Sequence, residues 1–265
     1  MVNSDLVGNV HGGGMTVAGR LRDKVTIVTG SARGIGAAIV ELFSSEGARV
    51  VGLDRQPVPA ATEGVLNLTA DVTRPEQVAT AVATTLTRFG HIDVLVNNAG
   101  VNVFSTPLEL PDADWDRCLN VDLKAAWAVS KAVLPSMLSQ GSGSIVNIAS
   151  VHAHRIVPGC FPYPVAKHGL IGLTRALAIE YAARGIRVNS ISPGFILTPQ
   201  TEEWLAAQPD PEQARRRQEE LLPCKRLGTA QEVAYTALFL ASDEARFINA
   251  ADILIDGGRT QLYHE

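Results

Sequence analysis

Cysteine is scarce in this chain: Cys118, Cys160 and Cys224 are an odd number with no Cys-x-x-Cys spacing. Neither a disulfide framework nor a metal site is expected, and a reducing cytosol is the expected compartment. A basic excess is missing too. Twenty-three lysines and arginines stand against 27 aspartates and glutamates, a formal net charge of −4, which removes the positive field that nucleic acid or an anionic membrane would exploit. Long apolar runs are also absent: those at 25–28 and 94–96 are broken well short of the ~18 positions a membrane-spanning helix needs. The first twenty residues hold no signal-peptide core, and with Gly12, Gly13 and Gly14 they read as a flexible leader over 1–20. What is present is 265 residues, 46% of them hydrophobic, enough for one sizeable core. A single domain is expected over 21–265.

Short β-branched runs alternate with longer helical patterns along that domain. Strands are expected at 25–29, 49–53, 64–68, 93–96, 144–148, 186–191 and 252–255, and helices from 34 and over 75–88, 112–138, 163–184 and 230–241. Pro75 suits an initial helical turn. The alternation predicts an α/β fold, a Rossmann-type doubly wound parallel sheet of about seven strands with helices on both faces. One segment, 199–222, interrupts it with polar and charged residues that include Arg215, Arg216 and Arg217. It reads either as a mobile helical lid or as a solvated surface helix.

Directly after the first strand comes Thr29-Gly30-Ser31-Ala32-Arg33-Gly34-Ile35-Gly36. Its glycines let the backbone turn tightly and let a phosphate approach the N-terminus of the next helix. Gly30, Ser31, Arg33, Gly34, Ile35 and Gly36 are therefore the candidate pyrophosphate cradle. The spacing is Gly-x-x-x-Gly-x-Gly, not the commoner Gly-x-Gly-x-x-Gly. Asp54 ends the second strand, 18 residues past Gly36. A carboxylate there can accept both ribose hydroxyls of NAD and repels a 2′-phosphate, so NAD is expected over NADP. Arg33 and Arg55 are the nearby cations that can pair with a 2′-phosphate instead.

Together with Asp71-Val72, Asn97-Asn98-Ala99-Gly100, Asn120, Ser150, Tyr163-Pro-Val-Ala-Lys167, Pro193-Gly194 and Asp256-Gly257-Gly258, this turn resembles the short-chain dehydrogenase/reductase family over 21–258. The resemblance implies an oxidoreductase acting on CH–OH groups with a nicotinamide cofactor. By it, Asp71 hydrogen-bonds the adenine amino group, Val72 packs near the ring, and Asn98, Ala99 and Gly100 line the adenosine ribose. Asn97 ties neighbouring strands together. Pro193, Gly194, Ile196 and Thr198 hold the nicotinamide carboxamide, Lys167 binds the nicotinamide ribose, and Asn120 holds a water connecting Lys167 to solvent. A homotetramer, packed through the helices at 112–138 and 163–184, is implied as well.

Tyr163 and Lys167 are four apart at the start of an expected helix, so their side chains share one face. A phenol of pKa ~10 is too weak a base at neutral pH, and about 4 kcal/mol of differential stabilisation brings it there; a nearby ammonium and the positive nicotinamide ring both act in that direction. Ser150, at the carboxyl edge of its strand, can donate to the reacting oxygen. Tyr163 lies between Pro162 and Pro164, a local departure from the family, although Pro164 is acceptable in a first helical turn. For substrate, His152, His154, Arg155 and Gln200, with the tail 259–265, predict a polar lining. A sugar or polyol is expected, the alternatives being a 3-oxoacyl thioester or another secondary alcohol. A non-catalytic cofactor-sensing scaffold would be expected to lack Ser150, Tyr163 or Lys167, and none is missing.

Overall fold

Each of the seven β-branched runs is a strand in the computed structural model, which describes residues 19–58 and 64–263. In chain order the elements are β1 (Val25–Thr29), α1 (Gly34–Ser45), β2 (Arg49–Asp54), β3 (Val65–Thr69), α2 (Pro75–Phe89), β4 (Val94–Asn97), α3 (Asp112–Leu119), α4 (Ala125–Gln140), β5 (Gly143–Ile148), α5 (Tyr163–Tyr181), β6 (Ile186–Pro193), α6 (Pro199–Ala206), α7 (Pro211–Leu221), α8 (Ala230–Ala241) and β7 (Asp252–Ile255). The strands pair in parallel in the order β7-β6-β5-β4-β1-β2-β3. Successive side chains in a strand point to opposite faces, and here both faces are apolar. Val28, Val96 and Val146 pack with Ile39 and Phe43 of α1 and Leu238 of α8, while Ile27, Leu95 and Ile145 pack with Val82 of α2 and Val129, Val133 and Met137 of α4.

The chain leaves β1 toward β2 and β3 on one side and returns to β4 on the other. This reversal opens a crevice at the carboxyl ends of β1 and β4, the place where open α/β sheets bind ligands. Most of the candidate cofactor and catalytic residues follow a strand's carboxyl end: the glycine turn after β1, Asp54 on β2, Asp71 after β3, Asn98 after β4, Ser150 after β5 and Thr198 after β6.

Three segments need separate description. The leader's residues 1–18 lie outside the described residues, but Arg20 is tied down, donating its guanidinium to Glu244 at 2.7 and 2.8 Å and its backbone N–H to Glu46. The helix expected over 112–138 is broken by a wide π-type turn, Asn120–Lys124, in which the Asn120 carbonyl accepts from the N–H of Ala125, five residues on. The 199–222 insertion forms two helices, α6 and α7. Arg215 and Arg216 pair along α7 with Glu219 and Glu212 at 3.1 and 2.7 Å, an exposed charged face. Helix α8 begins with the capping box of Thr229 and Glu232. No helix among the described residues is long and apolar enough to cross a membrane.

Candidate active site

The glycine turn is held open by close backbone approaches. A Cβ on Gly36 would lie 2.0 Å from the Gly30 carbonyl oxygen, and one on Gly30, where φ is +66°, would lie 2.8 Å from the Ala99 Cα. Neither position tolerates a side chain without moving the turn. Arg33, the N-cap of α1, makes no side-chain cap bond, and no acidic residue occupies the first turn. That end of α1 therefore presents amide N–H groups and the positive end of its dipole to the crevice, which fits a pyrophosphate. Thr198 lies across from it, its Cβ 3.5 Å from where a Cβ on Gly34 would be. The loop after β6 thus closes the other wall.

Asn98 braces this turn: its amide donates to the carbonyls of Thr29 and Gly30, both at 3.0 Å, while the Thr29 hydroxyl accepts the N–H groups of Asn98 and Ala99. Its side chain serves the turn itself, and what it offers a ribose is backbone placement. Asn97 bonds Asn147 of β5 at 2.8 Å and so ties β4 to its neighbour. Asp54 turns its carboxylate toward the cradle, accepting from Ala32 N–H at 3.0 Å and Gln56 N–H at 2.9 Å. The Asp71 carboxylate accepts from Thr73 through hydroxyl and N–H, bonds that together with nearby arginines hold it below the usual carboxylate range. Val72 beside it is buried. Arg33 pairs with Glu203 of α6 at 3.0 Å.

At the other end of the crevice, Tyr163 opens α5 and Lys167 follows one turn later. The Lys167 ammonium is 5.4 Å from the Tyr163 ring centroid and donates to the Ile148 carbonyl at 3.1 Å. Ser150 is one of the groups near the Tyr163 phenol that favour its ionised form, and its hydroxyl accepts from the N–H of His152 at 3.2 Å, which fixes its direction. Burial raises the Tyr163 phenol above the ordinary tyrosine range; Lys167 and Ser150 oppose that, and Asp122 adds to it. Burial thus outweighs the ammonium acting alone, and the expected lowering calls on the ammonium and the nicotinamide ring together. Burial also works against the Lys167 charge, but Tyr163 and Asp122 facing it outweigh burial and keep the ammonium protonated.

Of the expected substrate residues, His152 alone stands against the acid/base group. Its ring meets Tyr163 edge-on at 5.9 Å, its Nδ1 is buried without a partner, and burial disfavours its protonation. His154 is a correction: its Nε2 bonds Asp252 on β7 at 2.7 Å, and the Ser190 and Ser192 hydroxyls bond the same carboxylate. The cause is the single 3₁₀ turn Val151–Ala153, which sends side chains two residues apart in different directions. Arg155 and Gln200 are exposed. Sequence reasoning missed the aromatic wall and Asp122. Phe104 meets the Tyr163 ring edge-on at 5.5 Å, and its two-residue strand pairs with Phe161–Pro162, whose Phe161 packs on Trp115 at 5.6 Å. Asp122 is buried, bonded to Val101 and Cys118.

The chain is similar to several known proteins. A family model described as enoyl-(acyl carrier protein) reductase matches residues 30–260. The 3-oxoacyl-(acyl-carrier-protein) reductase of Thermotoga maritima is 40% identical over 252 residues, covering 90% of this chain and 98% of that protein. Levodione reductase of Leifsonia aquatica is 38% identical over 259 residues, covering 92% and 97%. Among solved structures, the ligand-free aldohexose dehydrogenase of Thermoplasma acidophilum has a TM-score of 0.88 at 36% identity, covering 92% of this chain and 97% of that one.

Proposed function

The chain belongs to the short-chain dehydrogenase/reductase family, and from that premise we propose that it is an NAD-dependent dehydrogenase of a hydroxylated ring compound, a sugar or polyol. The reading of the substrate rests on the surroundings of Tyr163. An aromatic face at Phe104 suits the C–H face of a sugar ring, and the imidazole of His152 is placed to meet a hydroxyl. The aldohexose dehydrogenase likeness lends it support.

The chain's own residues account for the proton. In oxidation Tyr163 takes the proton of the substrate hydroxyl, and Ser150, held by His152 N–H, donates to the same oxygen as charge develops on it. Lys167 faces the phenol and favours its anionic form. Bound NAD supplies the acceptor for the carbinol hydride and a positive ring that further favours the phenolate. Reduction runs the same steps backward, with Tyr163 as the acid.

For NAD over NADP the support is Asp54 on the cradle and the engagement of Arg33 by Glu203. Asp54→Ala is expected to narrow the ratio of kcat/KM for NAD over NADP by about tenfold or more, since it removes both the ribose acceptor and the repulsion of a 2′-phosphate. Glu203→Ala adds only a few-fold, because the pair it breaks is exposed. Steady-state kinetics with both cofactors checks each, and a wild-type preference for NADP would overturn the assignment. A homotetramer is part of the same reading: α4 and α5 leave Trp127, Val165 and Ile179 exposed, an apolar surface suited to a second copy. Sedimentation equilibrium is expected to give four chains.

A panel of aldoses, polyols and 3-oxoacyl thioesters, assayed by NADH absorbance, tests the substrate. Turnover of aldoses such as fucose, arabinose, rhamnose or galactose is expected. The thioester alternative is supported by the Thermotoga maritima relative, and activity confined to acyl thioesters or hydrophobic ketones would replace the sugar reading with it.

A further inference from the structure

Asp122 is a carboxylate that the mechanism above does not use. It is 1% exposed, and it belongs to the π-type turn that separates α3 from α4. A Cβ built on Gly100 would be 2.9 Å from Asp122 Oδ1 and 3.7 Å from Lys167 Nζ, so carboxylate and ammonium flank the same glycine. One oxygen accepts the Val101 N–H at 2.8 Å and the other the Cys118 thiol at 3.6 Å. The amide can only donate, and the thiol sulfur is a weak acceptor, so the two partners suit the anion better than a protonated carboxyl. The thiol stays a donor throughout, because burial, and after it Asp122, push Cys118 up to about 12.

We propose that Asp122 is a positioning residue: it is the fixed counter-charge of the Tyr163–Lys167 pair, holding the ammonium in place and setting the pH at which the pair exchanges its proton. Geometry supports an electrostatic role over a packing role, since Asp122 faces Lys167 across Gly100, where no side chain intervenes. Burial holds the Asp122 carboxyl above the usual carboxylate range, and Lys167 is the strongest influence opposing that. In return Asp122 favours the charged lysine and disfavours the Tyr163 phenolate. The other groups facing the pair are few. Cys118 comes from α3 as a neutral thiol, and His152 comes from the turn after β5, where burial disfavours its charged form. Arg117 lies on the outer side of α3, paired with Asp114 at 3.1 Å, and acts on Asp122 less than any other group.

The sign follows from charge alone. Taking one negative charge out of a buried cluster lowers the pH at which the Tyr163–Lys167 pair gives up its first proton, whichever member surrenders it. Asp122→Asn does this while keeping an oxygen for the Val101 N–H. The inference rests on Tyr163 and Lys167 being the acid/base pair, and the experiment separates the two. With NAD and the best alcohol from the panel, kcat/KM is measured against pH for wild type and Asp122→Asn. In parallel, tyrosinate absorbance is titrated in both, with the Tyr163→Phe titration in each background subtracted so that Tyr163 alone is read. The account expects the rising limb of oxidation and the Tyr163 titration both to move about one pH unit lower in Asp122→Asn. Should the asparagine variant not fold, Asp122→Ser, which leaves room for a water on the Val101 amide, carries the same expectation. Coincident profiles and titrations in two active enzymes overturn the role of Asp122. Full turnover by Tyr163→Phe overturns the acid/base assignment beneath it.

Discussion

Tyr163→Phe is expected to lower kcat about a thousandfold while NAD binds within a few-fold of wild type. Phenylalanine keeps the ring and its neighbours: Phe104 at 5.5 Å, His152 at 5.9 Å and the Lys167 ammonium at 5.4 Å. Only the hydroxyl is lost, and with it the group that carries the proton in either direction. A positioned acid/base contributes roughly 10²–10⁴-fold, and a loss no smaller than the middle of that range applies because Ser150, the other hydroxyl at the site, donates without accepting the proton for release. Since Tyr163 makes its contribution in the transition state, kcat and kcat/KM should fall together. Fluorescence titration with NAD and steady-state assays on the same preparation check both halves. Undiminished turnover would remove Tyr163 from the mechanism.

Lys167→Ala should be the more damaging change, costing activity, cofactor affinity and stability at once. Lys167 is 4% exposed, and its ammonium donates to the Ile148 carbonyl. Its removal leaves that carbonyl without its partner, at about 1–3 kcal/mol. It also leaves Asp122 as a buried carboxylate without the cation that most favours its charge, which is destabilising. The phenol of Tyr163 loses the one cation that favours its ionised form. A fall in turnover of about a hundredfold or more is expected, together with a lowered thermal midpoint and weaker NAD binding. Lys167→Arg should recover stability better than activity, because the guanidinium keeps a charge without the ammonium's placement. An alanine variant with wild-type melting and NAD affinity would make the pair an ordinary piece of helix surface.

Much of this architecture is legible in the residues because it depends on local signals. Seven β-branched runs bounded by turns give seven strands, and the glycine spacing after β1 gives the tight turn, since Gly30 and Gly36 are positions where a Cβ meets backbone. Asp54, Ser150 and Tyr163 are marked by where they fall relative to strand and helix ends. What escaped depends on contacts between distant segments or on departures from regular periodicity. The π-type turn at Asn120–Lys124 leaves the apolar pattern of α3 and α4 nearly continuous, so a single helix is the natural expectation from sequence, and nothing in that pattern marks Asp122. Phe104 and Phe161 belong to one wall only because their short strands pair across a long stretch of chain. His154 shows the opposite error. Closeness in sequence to Ser150 suggested a shared pocket, and one 3₁₀ turn instead delivers the imidazole to Asp252 at the sheet edge.

The central claim is that a hydride passes between the nicotinamide and a carbinol carbon whose oxygen Tyr163 addresses. The most direct test uses the best substrate of the panel, deuterated at the carbinol carbon, with NAD and the wild-type enzyme, and reads the reduced cofactor by NMR. The account predicts deuterium at the nicotinamide C4 position and a slower rate than with the undeuterated substrate. Reduced cofactor carrying no deuterium, or no cofactor reduction with any alcohol, sugar or polyol, would contradict it.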